Sequence, residues 1–284
     1  MNALGDDAAG TSFAGTRGGA AGDLRLIVVG ATGRTGNAIV HALGSQVGVE
    51  LVACVAPSVA TTPTRPLPDG IAAFATLDEV DVEADIVVDL GVAGAVPSHL
   101  ATALARGWHA IIGATAFDLA AVTAAGAGFK STGLGLLVVP NFSIGAVLMM
   151  RFAEFAARHL PDAAIIETHH STKADAPSGT AMRTAQLIAG SRSANAGSAT
   201  DFRTHYRDCD ASQAGTYGLD VEGVPVHALR LAGATAHQDV VFSGIGEVLT
   251  ITHDAIDRSC YAAGVALAAR QVTASRGLNI GLEL

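Results

Sequence analysis

Two histidines and a lysine, His169, His170 and Lys173, stand within five residues of one another. They belong to residues 167–181, ETHHSTKADAPSGTA, which we predict to extend from a strand end through a loop into the start of a helix. A histidine can donate a proton near neutral pH, and the lysine brings a positive charge beside it. This segment therefore predicts a site that binds an anion and gives up a proton.

The next polar residues, Ser178, Gly179 and Thr180, fall at the predicted start of that helix. The first N–H groups of a helix lack partners within it, so hydroxyls and amides at this point can bind a carboxylate. Taken singly, each histidine is also compatible with a surface residue at a strand end. A metal site is disfavoured, because the segment has no i,i+4 histidine pair and no supporting cysteine.

A second cluster, GATGRTG at residues 30–36, lies between a predicted strand and a predicted helix. Its glycines permit a tight turn, a close approach of backbone to a pyrophosphate, and packing of the helix on the strand. The pyrophosphate of a dinucleotide would lie at the helix N-terminus, where free N–H groups favour negative charge. The same turn is also compatible with a strand–helix connection that binds no ligand.

The second predicted strand lacks the acidic residue that normally binds the ribose hydroxyls of NAD at its end. Ala56 stands there, followed by Pro57 and the neutral hydroxyl of Ser58, while Arg34 and Arg65 can approach a phosphate. An absent acid removes a contact with NAD and a repulsion against the 2′-phosphate of NADP. We therefore predict that NADPH is used at least as well as NADH.

Alternating strands and helices are predicted to position these clusters. In the first half the predicted strands are 24–29, 50–55, 85–90, 109–113 and 134–139, with helices around 37–43 and at 97–106. This alternation predicts a Rossmann-like, doubly wound parallel sheet. Beyond it, helices are predicted at 144–160, from about 177 and at 257–275, strands at 164–171, 224–231, 238–242 and 247–253, and a long loop at 191–215. The predicted fold class is α/β, with a second α+β domain that contains an open mixed sheet.

The segment at 167–181 resembles the signature of the dihydrodipicolinate reductase family, E-x-H-H-x-x-K-x-D-A-P-S-G-T-A, at every fixed position. Residues 140–145, PNFSIG, resemble the family's P-N-F-S-x-G hinge. Its C-terminal pattern is resembled by residues 227–230, His237, residues 246–253 and Arg258.

Three positions depart from the family pattern. The family's G-T-T-G loop is replaced by GATA at residues 113–116, Ala56 replaces the ribose-binding acid, and Ala236 stands where a glutamate is common. These departures fall mostly on the cofactor side and avoid the His-Lys segment.

The resemblance implies reduction of 4-hydroxy-tetrahydrodipicolinate, a cyclic unsaturated imine dicarboxylate, to tetrahydrodipicolinate in lysine and diaminopimelate biosynthesis, with NADPH or NADH. It implies that His169 donates a proton to the ring as hydride arrives, supported by Lys173. The residues implied to bind substrate are His170, Lys173, Ser178, Gly179 and Thr180. Those implied to bind cofactor are Gly30, Ala31, Thr32, Gly33, Arg34, Thr35, Gly36, Gly113, Ala114, Thr115, Pro140, Asn141 and Phe142.

The domain organisation is predicted in three parts. Residues 1–23, rich in Gly and Ala, are expected to form a flexible extension without a secretory signal. The resemblance assigns residues 24–140 and 254–284 to a dinucleotide-binding domain, and residues 141–253 to a substrate-binding domain. It also implies a homotetramer assembled through the open sheet face of the middle domain.

Composition narrows the classes of partner. Half of the 284 residues are hydrophobic and the net charge is −9, so a sizeable core is expected and nucleic acid is not. The three cysteines, Cys54, Cys209 and Cys260, are far apart, which fits a reducing cytoplasm. No uninterrupted apolar run is long enough to predict a transmembrane helix.

Two other functions remain compatible with the sequence. A related amino-acid or diamino-acid dehydrogenase would keep the fold and the cofactor but change the substrate. A non-catalytic dinucleotide sensor would use the glycine turn, but it would have no need of a histidine and a lysine at a helix start.

Overall fold

The computed structural model describes residues 22–61, 65–114, 117–194 and 216–284. The first half contains β1 (Leu24–Val29), α1 (Arg34–Leu43), β2 (Val49–Val55), β3 (Ala72–Phe74), β4 (Ile86–Asp89), α2 (Val96–Arg106), β5 (His109–Ile112), α3 (Leu119–Ser131) and β6 (Gly135–Val138). The second half contains α4 (Ile144–Ala156), β7 (Asp162–His169), α5 (Gly179–Ala194), β8 (Leu219–Val221), β9 (Val224–Arg230), β10 (Ala236–Gly244), β11 (Glu247–Ala255), α6 (Tyr261–Ala274) and β12 (Gly277–Ile280).

Seven strands form a parallel sheet in the order β12-β6-β5-β4-β1-β2-β3. Apolar side chains of α1 and α6 cover one face, and those of α2 and α3 cover the other. The chain reverses its direction of travel across the sheet between β1 and β4, and ligands of such sheets bind in the crevice at that point. The predicted Rossmann-like sheet is therefore confirmed, with the glycine turn at its switch point.

Five strands form the second sheet in the order β11-β10-β7-β9-β8. Strands β7 and β9 are parallel, and the other pairs are antiparallel, so the predicted mixed sheet is also confirmed. Helices α4 and α5 pack on one face of this sheet around the buried side chains of Ile165, Val240 and Phe242. No helix in the described parts of the chain is long and apolar enough to cross a membrane.

Several predicted boundaries are wrong. Helix α5 continues to Ala194, so the first residues of the predicted loop at 191–215 are helical. Helix α6 begins at Tyr261, not at 257, because the Asp257 side chain caps a short 3₁₀ helix at Arg258–Cys260. Strand β7 ends at His169, two residues earlier than predicted, and α4 ends at Ala156.

Four elements lie outside the predicted set: β3, α3, β8 and β12. The three strands have only three or four residues each, too few for a visible alternation. Helix α3 is rich in Ala and Gly around its whole circumference, so no apolar stripe stands out. Thr115, residues 1–21 of the predicted extension and residues 195–215 of the predicted loop lie outside the described residues.

Candidate active site

The glycine turn has the geometry of an anion-binding turn at the start of α1. Gly30 has φ +81°, and a Cβ there would lie 2.6 Å from the Leu90 carbonyl oxygen. A Cβ on Gly36 would collide with the carbonyl of Gly30, so only glycine permits this packing. A Cβ on Gly33 would have a single neighbour, the Gly30 oxygen at 3.1 Å, so its other side is open. No side chain caps α1 and no acidic residue lies in its first turn, which leaves its N–H groups suited to a pyrophosphate.

Several of the predicted cofactor-binding residues have buried side chains. Those of Ala31, Ala114 and Phe142 are buried, so only their backbone atoms are available to a ligand. The Phe142 ring occupies the space that a Cβ on Gly113 would need, which explains a glycine at that position. Asn141 donates from Nδ2 to Thr180 Oγ1 at 3.1 Å and thereby connects the first sheet's rim to the start of α5.

Asp89, which is not among the site residues predicted from the sequence, holds together the ends of β4 and β5 near the glycine turn. Its carboxylate accepts hydrogen bonds from Gly91 N at 2.9 Å and His99 Nδ1 at 2.8 Å. Its carbonyl oxygen accepts from the N–H groups of Gly113 and Ala114 at 2.8 and 3.1 Å. One buried residue therefore fixes the loops that follow both β4 and β5.

The end of β2 is neutral, as the sequence predicts, but a cation lies near it. Ala56 is buried, and Ser58 Oγ lies 2.8 Å from Thr32 Oγ1 of the glycine turn. Arg65 donates from Nη1 to the Thr32 carbonyl at 3.3 Å. Its guanidinium is therefore close to the place where this fold holds the adenine ribose of a dinucleotide.

On the second sheet, His169 is held by a fully buried carboxylate. Its Nδ1 lies 2.6 Å from Glu167 Oε2, which makes Nδ1 the protonated donor and leaves Nε2 for a substrate. Arg230 on β9 makes two hydrogen bonds to Glu167, from Nη1 to Oε2 and from Nη2 to Oε1, each 2.9 Å. The N–H of Ser178 donates to Oε1 at 3.0 Å. Neither Glu167 nor Arg230 is among the site residues predicted from the sequence.

The pKa values of this group follow from burial and charge. Burial lowers the pKa of His169 below its usual value, Glu167 opposes this effect, and Lys173 and Arg230 add to it. Burial alone would raise the pKa of Glu167, but hydrogen bonds from Arg230 and His169 bring it below the usual value. Glu167 is therefore a carboxylate at neutral pH.

Lys173 lies on the loop between β7 and α5, where its backbone N–H donates to the His170 carbonyl at 3.1 Å. Its ammonium pairs with Asp175 Oδ1 at 2.8 Å, and the Asp175 side chain is mostly exposed. Arg230 Nη2 also donates to the Asp175 carbonyl at 2.6 Å. The loop is thus attached to the Glu167–Arg230 pair, and the lysine side chain on it is partly exposed.

Helix α5 begins beside this loop and presents the predicted carboxylate site. The Ser178 hydroxyl accepts a hydrogen bond from Ala181 N at 3.2 Å, so Ser178 caps the helix. The backbone N–H of Ser178 donates to the Glu167 carboxylate. The N–H groups of Gly179 and Thr180 lie in the first turn of α5, where the helix itself provides no carbonyl to accept their hydrogen bonds. A Cβ on Gly179 would meet nothing within 4 Å, so the approach to these amides is open.

His170 links the two sheets electrostatically. Desolvation lowers its pKa, and the charges of Arg258 and Arg34 lower it further, so cations from the first domain lie close to this histidine. Its Nδ1 lies 2.9 Å from Thr172 Oγ1. These charges, with the hydrogen bond from Asn141 Nδ2 to Thr180 Oγ1, indicate that the His-Lys segment lies near the glycine turn.

His237 lies away from this group. It is opposite Thr168 on β7, whereas His169 is opposite Ala236, so the two histidines are on different faces of the sheet. The imidazole of His237 is paired instead with Asp254 at 2.7 Å and Asp239 at 3.1 Å. Within the C-terminal pattern, Arg230 thus contacts the Glu167–His169 pair and His237 does not.

Together, the parallel sheet with its open glycine turn and the second sheet with its buried Glu167–His169 pair are the features of an NAD(P)H-dependent oxidoreductase. Family models for the N-terminus and C-terminus of dihydrodipicolinate reductase match residues 24–142 and 145–283. The chain belongs to the dihydrodipicolinate reductase family, as the resemblance of the His-Lys segment predicts.

Individual relatives extend over nearly the whole chain. The 4-hydroxy-tetrahydrodipicolinate reductase of Nocardia farcinica is 43% identical over 92% of this chain and 97% of its own length. The enzyme of the same name from Streptomyces griseus is 41% identical over 92% and 96%. A dipicolinate-bound dihydrodipicolinate reductase from Paenisporosarcina sp. TG-14 superposes with a TM-score of 0.77 at 33% identity, covering 91% of this chain and 98% of that one.

Proposed function

We propose that this protein reduces 4-hydroxy-tetrahydrodipicolinate to tetrahydrodipicolinate with NADPH or NADH, in lysine and diaminopimelate biosynthesis. The observation that carries the proposal is the position of His169. Its Nδ1 is occupied by Glu167 and its Nε2 is left for a ligand, beside Lys173 and the open first turn of α5. A proton donor next to an anion site suits a substrate that carries carboxylates and must be protonated.

Elimination of the 4-hydroxyl group of the substrate as water leaves a conjugated cyclic imine, and its reduction requires one hydride and one proton. When bound, reduced nicotinamide supplies the hydride. Hydride addition to a conjugated imine builds negative charge on the ring, and His169 neutralises it by donating the proton on Nε2. Lys173 stabilises that charge and one carboxylate, while the amides of Gly179 and Thr180 bind a carboxylate at the helix start.

A turnover assay separates this function from the alternatives. The substrate is prepared in the cuvette as the aldol product of pyruvate and aspartate semialdehyde, and cofactor oxidation is followed. The proposal expects substrate-dependent oxidation of NADPH or NADH. Turnover of an amino acid or diamino acid without turnover of the imine would favour the related dehydrogenase, and cofactor binding without any turnover would favour a sensor.

The helix-start site makes a prediction about inhibitors. Pyridine-2,6-dicarboxylate, a planar analogue with both carboxylates, is expected to inhibit competitively against the imine. Pyridine-2-carboxylate is expected to bind at least about 10-fold more weakly, because it loses one set of hydrogen bonds to a charged group. The two inhibition constants are measured under the same conditions, and equal values would contradict a two-carboxylate site. That the Paenisporosarcina relative binds dipicolinate supports this choice.

The neutral end of β2 makes a prediction about the cofactor. Without the acid, NADPH is expected to be used at least as well as NADH, with a shift in preference toward NADPH of about 1–3 kcal/mol. Replacing Arg65 with alanine is expected to weaken the binding of NADPH more than that of NADH, since only NADPH carries the 2′-phosphate. Catalytic efficiency and Kd are measured for both cofactors at fixed ionic strength. A wild-type preference for NADH beyond about 10-fold would contradict the prediction, since a charged-group contact is worth about that much.

We also propose the division into a cofactor domain (24–140 with 254–284) and a substrate domain (141–253). It is supported by α6, which packs on the first sheet, and by β12, which completes that sheet.

A cytoplasmic homotetramer without nucleic acid as partner is proposed as well. The exposed apolar side chains of Val248 and Leu229 lie on the sheet face that α4 and α5 leave uncovered, which supports assembly through this face. The net charge of −9 disfavours nucleic acid.

A further inference from the structure

We propose that Glu167 and Arg230 are positioning residues: they hold the proton donor His169 in one tautomer and fix it relative to the carboxylate-binding start of α5. Neither residue touches the substrate in this proposal, which rests on the proposed function only for its effect on turnover. The tautomer and the pKa of His169 are properties of the protein without substrate and can be measured without turnover.

The Glu167 carboxylate is saturated by donors from three separate segments. Oε1 accepts from Ser178 N and Arg230 Nη2, and Oε2 accepts from His169 Nδ1 and Arg230 Nη1, at 2.6 to 3.0 Å. The side chain of Glu167 is fully buried, and a buried carboxylate is tolerated only when it is paired and hydrogen-bonded in this way. The arrangement is therefore specific to an ionised Glu167 facing a guanidinium.

Each of these contacts fixes part of the site. The contact with Nδ1 keeps the proton of neutral His169 on that atom, so Nε2 is the position that exchanges a proton with a ligand. The contact with Ser178 N fixes the residue that caps α5. Arg230 also binds the Asp175 carbonyl, next to the residue that pairs with Lys173. One buried ion pair thus sets the relative positions of donor, lysine and helix start.

The charges around His169 determine the sign of each expected change. Glu167 lies on its own strand, Arg230 on β9, and Lys173, with its partner Asp175, on the following loop. On β10 the residue opposite His169 is Ala236, which carries no charge. His170, next in the chain, has its own pKa lowered by burial and by nearby cations and is uncharged at neutral pH. Glu167 therefore raises the pKa of His169, and Arg230 and Lys173 lower it.

Two substitutions should shift this pKa in opposite directions. In Glu167→Gln the negative charge is lost, so imidazolium is less stable and the pKa of His169 falls by at least about one unit. The amide can then donate to Nδ1, which moves the proton of the neutral ring to Nε2. In Arg230→Met the positive charge is lost, so the Glu167–His169 pair holds its proton to higher pH, with an apparent pKa raised by at least about half a unit.

Histidine labelled with ¹³C and ¹⁵N in the ring gives the tautomer and pKa by NMR, and the missing signals of His169→Gln identify the resonances. The Arg151–Glu154 pair on α4, with an exposed arginine and a partly buried glutamate, provides matched controls, since Arg151→Met and Glu154→Gln should leave the His169 signals unchanged. In the turnover assay, the pH above which kcat/KM declines should be lower for Glu167→Gln than for the wild type, and the loss of kcat/KM in this variant should become smaller as the pH is lowered. For Arg230→Met, the pH above which kcat/KM declines should be higher than for the wild type.

Opposite shifts support the proposal, and shifts in one direction or none would overturn it, because a purely structural role predicts no change of sign. A variant that does not fold, as judged by circular dichroism, leaves the decision to the other variant and to the wild-type protein. A neutral His169 protonated on Nε2 in the wild type would overturn the proposal by itself. If NMR shows the predicted tautomer and pKa shifts but the imine is not turned over, the proposed function is contradicted and the positioning role is not.

Discussion

Replacing His169 with glutamine is expected to lower kcat by about 10²–10⁴-fold while the Kd for NADPH stays unchanged. Glutamine has a similar reach and can still donate a hydrogen bond to Glu167, but its amide cannot supply a proton to the ring. The proposed cofactor site lies around the glycine turn of the first sheet, so binding of NADPH should not depend on this imidazole. Steady-state kinetics and fluorescence titration with the cofactor measure the two quantities.

A matched control distinguishes loss of the proton donor from general damage. His159 is an exposed histidine just beyond α4, with its ring 5.1 Å from that of Phe155. His159→Gln should retain wild-type kcat to within about twofold, since surface substitutions away from special features change little. A His169→Gln variant that kept near wild-type kcat would show that another group protonates the substrate.

Replacing Lys173 with alanine is expected to lower kcat by at least about 10²-fold and to weaken binding of the dicarboxylate. Lys173 is the only lysine or arginine on the loop that follows His169, and in the proposed mechanism its ammonium supports both the developing charge and a substrate carboxylate. Lys173→Arg should restore binding more than it restores kcat, because it keeps the charge but changes the geometry. The KM for the imine and the Ki for pyridine-2,6-dicarboxylate separate the two effects.

The sequence offers one natural control for this lysine. Lys130, near the end of α3, is the only other lysine in the chain. Lys130→Ala should leave kcat and both binding constants unchanged, since α3 packs against the far face of the first sheet. Equal losses in the two lysine variants would show that Lys173 acts through net charge or stability and not through contact with the substrate.

The sequence was sufficient to predict the residues that are close together in the chain. His169, Lys173, Gly179 and Thr180 lie within one strand–loop–helix segment, where short-range order determines their arrangement. The turn at residues 30–36 is predictable for the same reason, since each glycine has a local steric requirement.

Residues that reach the site through sheet register could not be predicted in this way. Arg230 is 63 residues from Glu167 in sequence and meets it only because β9 pairs with β7 so that Arg230 lies opposite His169. Asp89 and His99 are likewise connected only through the packing of α2 on the sheet. Glu167 was within the recognised segment, but its role depends on complete burial, which the sequence does not show.

The strands, too, were predictable where the local sequence has a pattern and were missed where they form only by pairing with a distant strand. The parallel sheet was predictable because its buried strands are continuous apolar runs, such as LRLIVV in β1. Strand β12 was missed because the four residues GLNI carry no pattern of their own, and they become a strand only by pairing with β6. The end of β7 at His169 reflects the loop that brings Lys173 N–H back to the His170 carbonyl.

A crystal structure of the protein with NADP⁺ and pyridine-2,6-dicarboxylate would test the proposed site most directly. One carboxylate is expected within about 2.7–3.2 Å of the backbone N–H groups of Gly179 and Thr180, with Lys173 turned from Asp175 toward the ligand. The ring is expected between His169 Nε2 and the nicotinamide, with His169 Nδ1 still bound to Glu167. A dicarboxylate bound outside this crevice, or one that leaves His169 Nε2 without contact to the ring, would contradict the assignment of His169 as the proton donor.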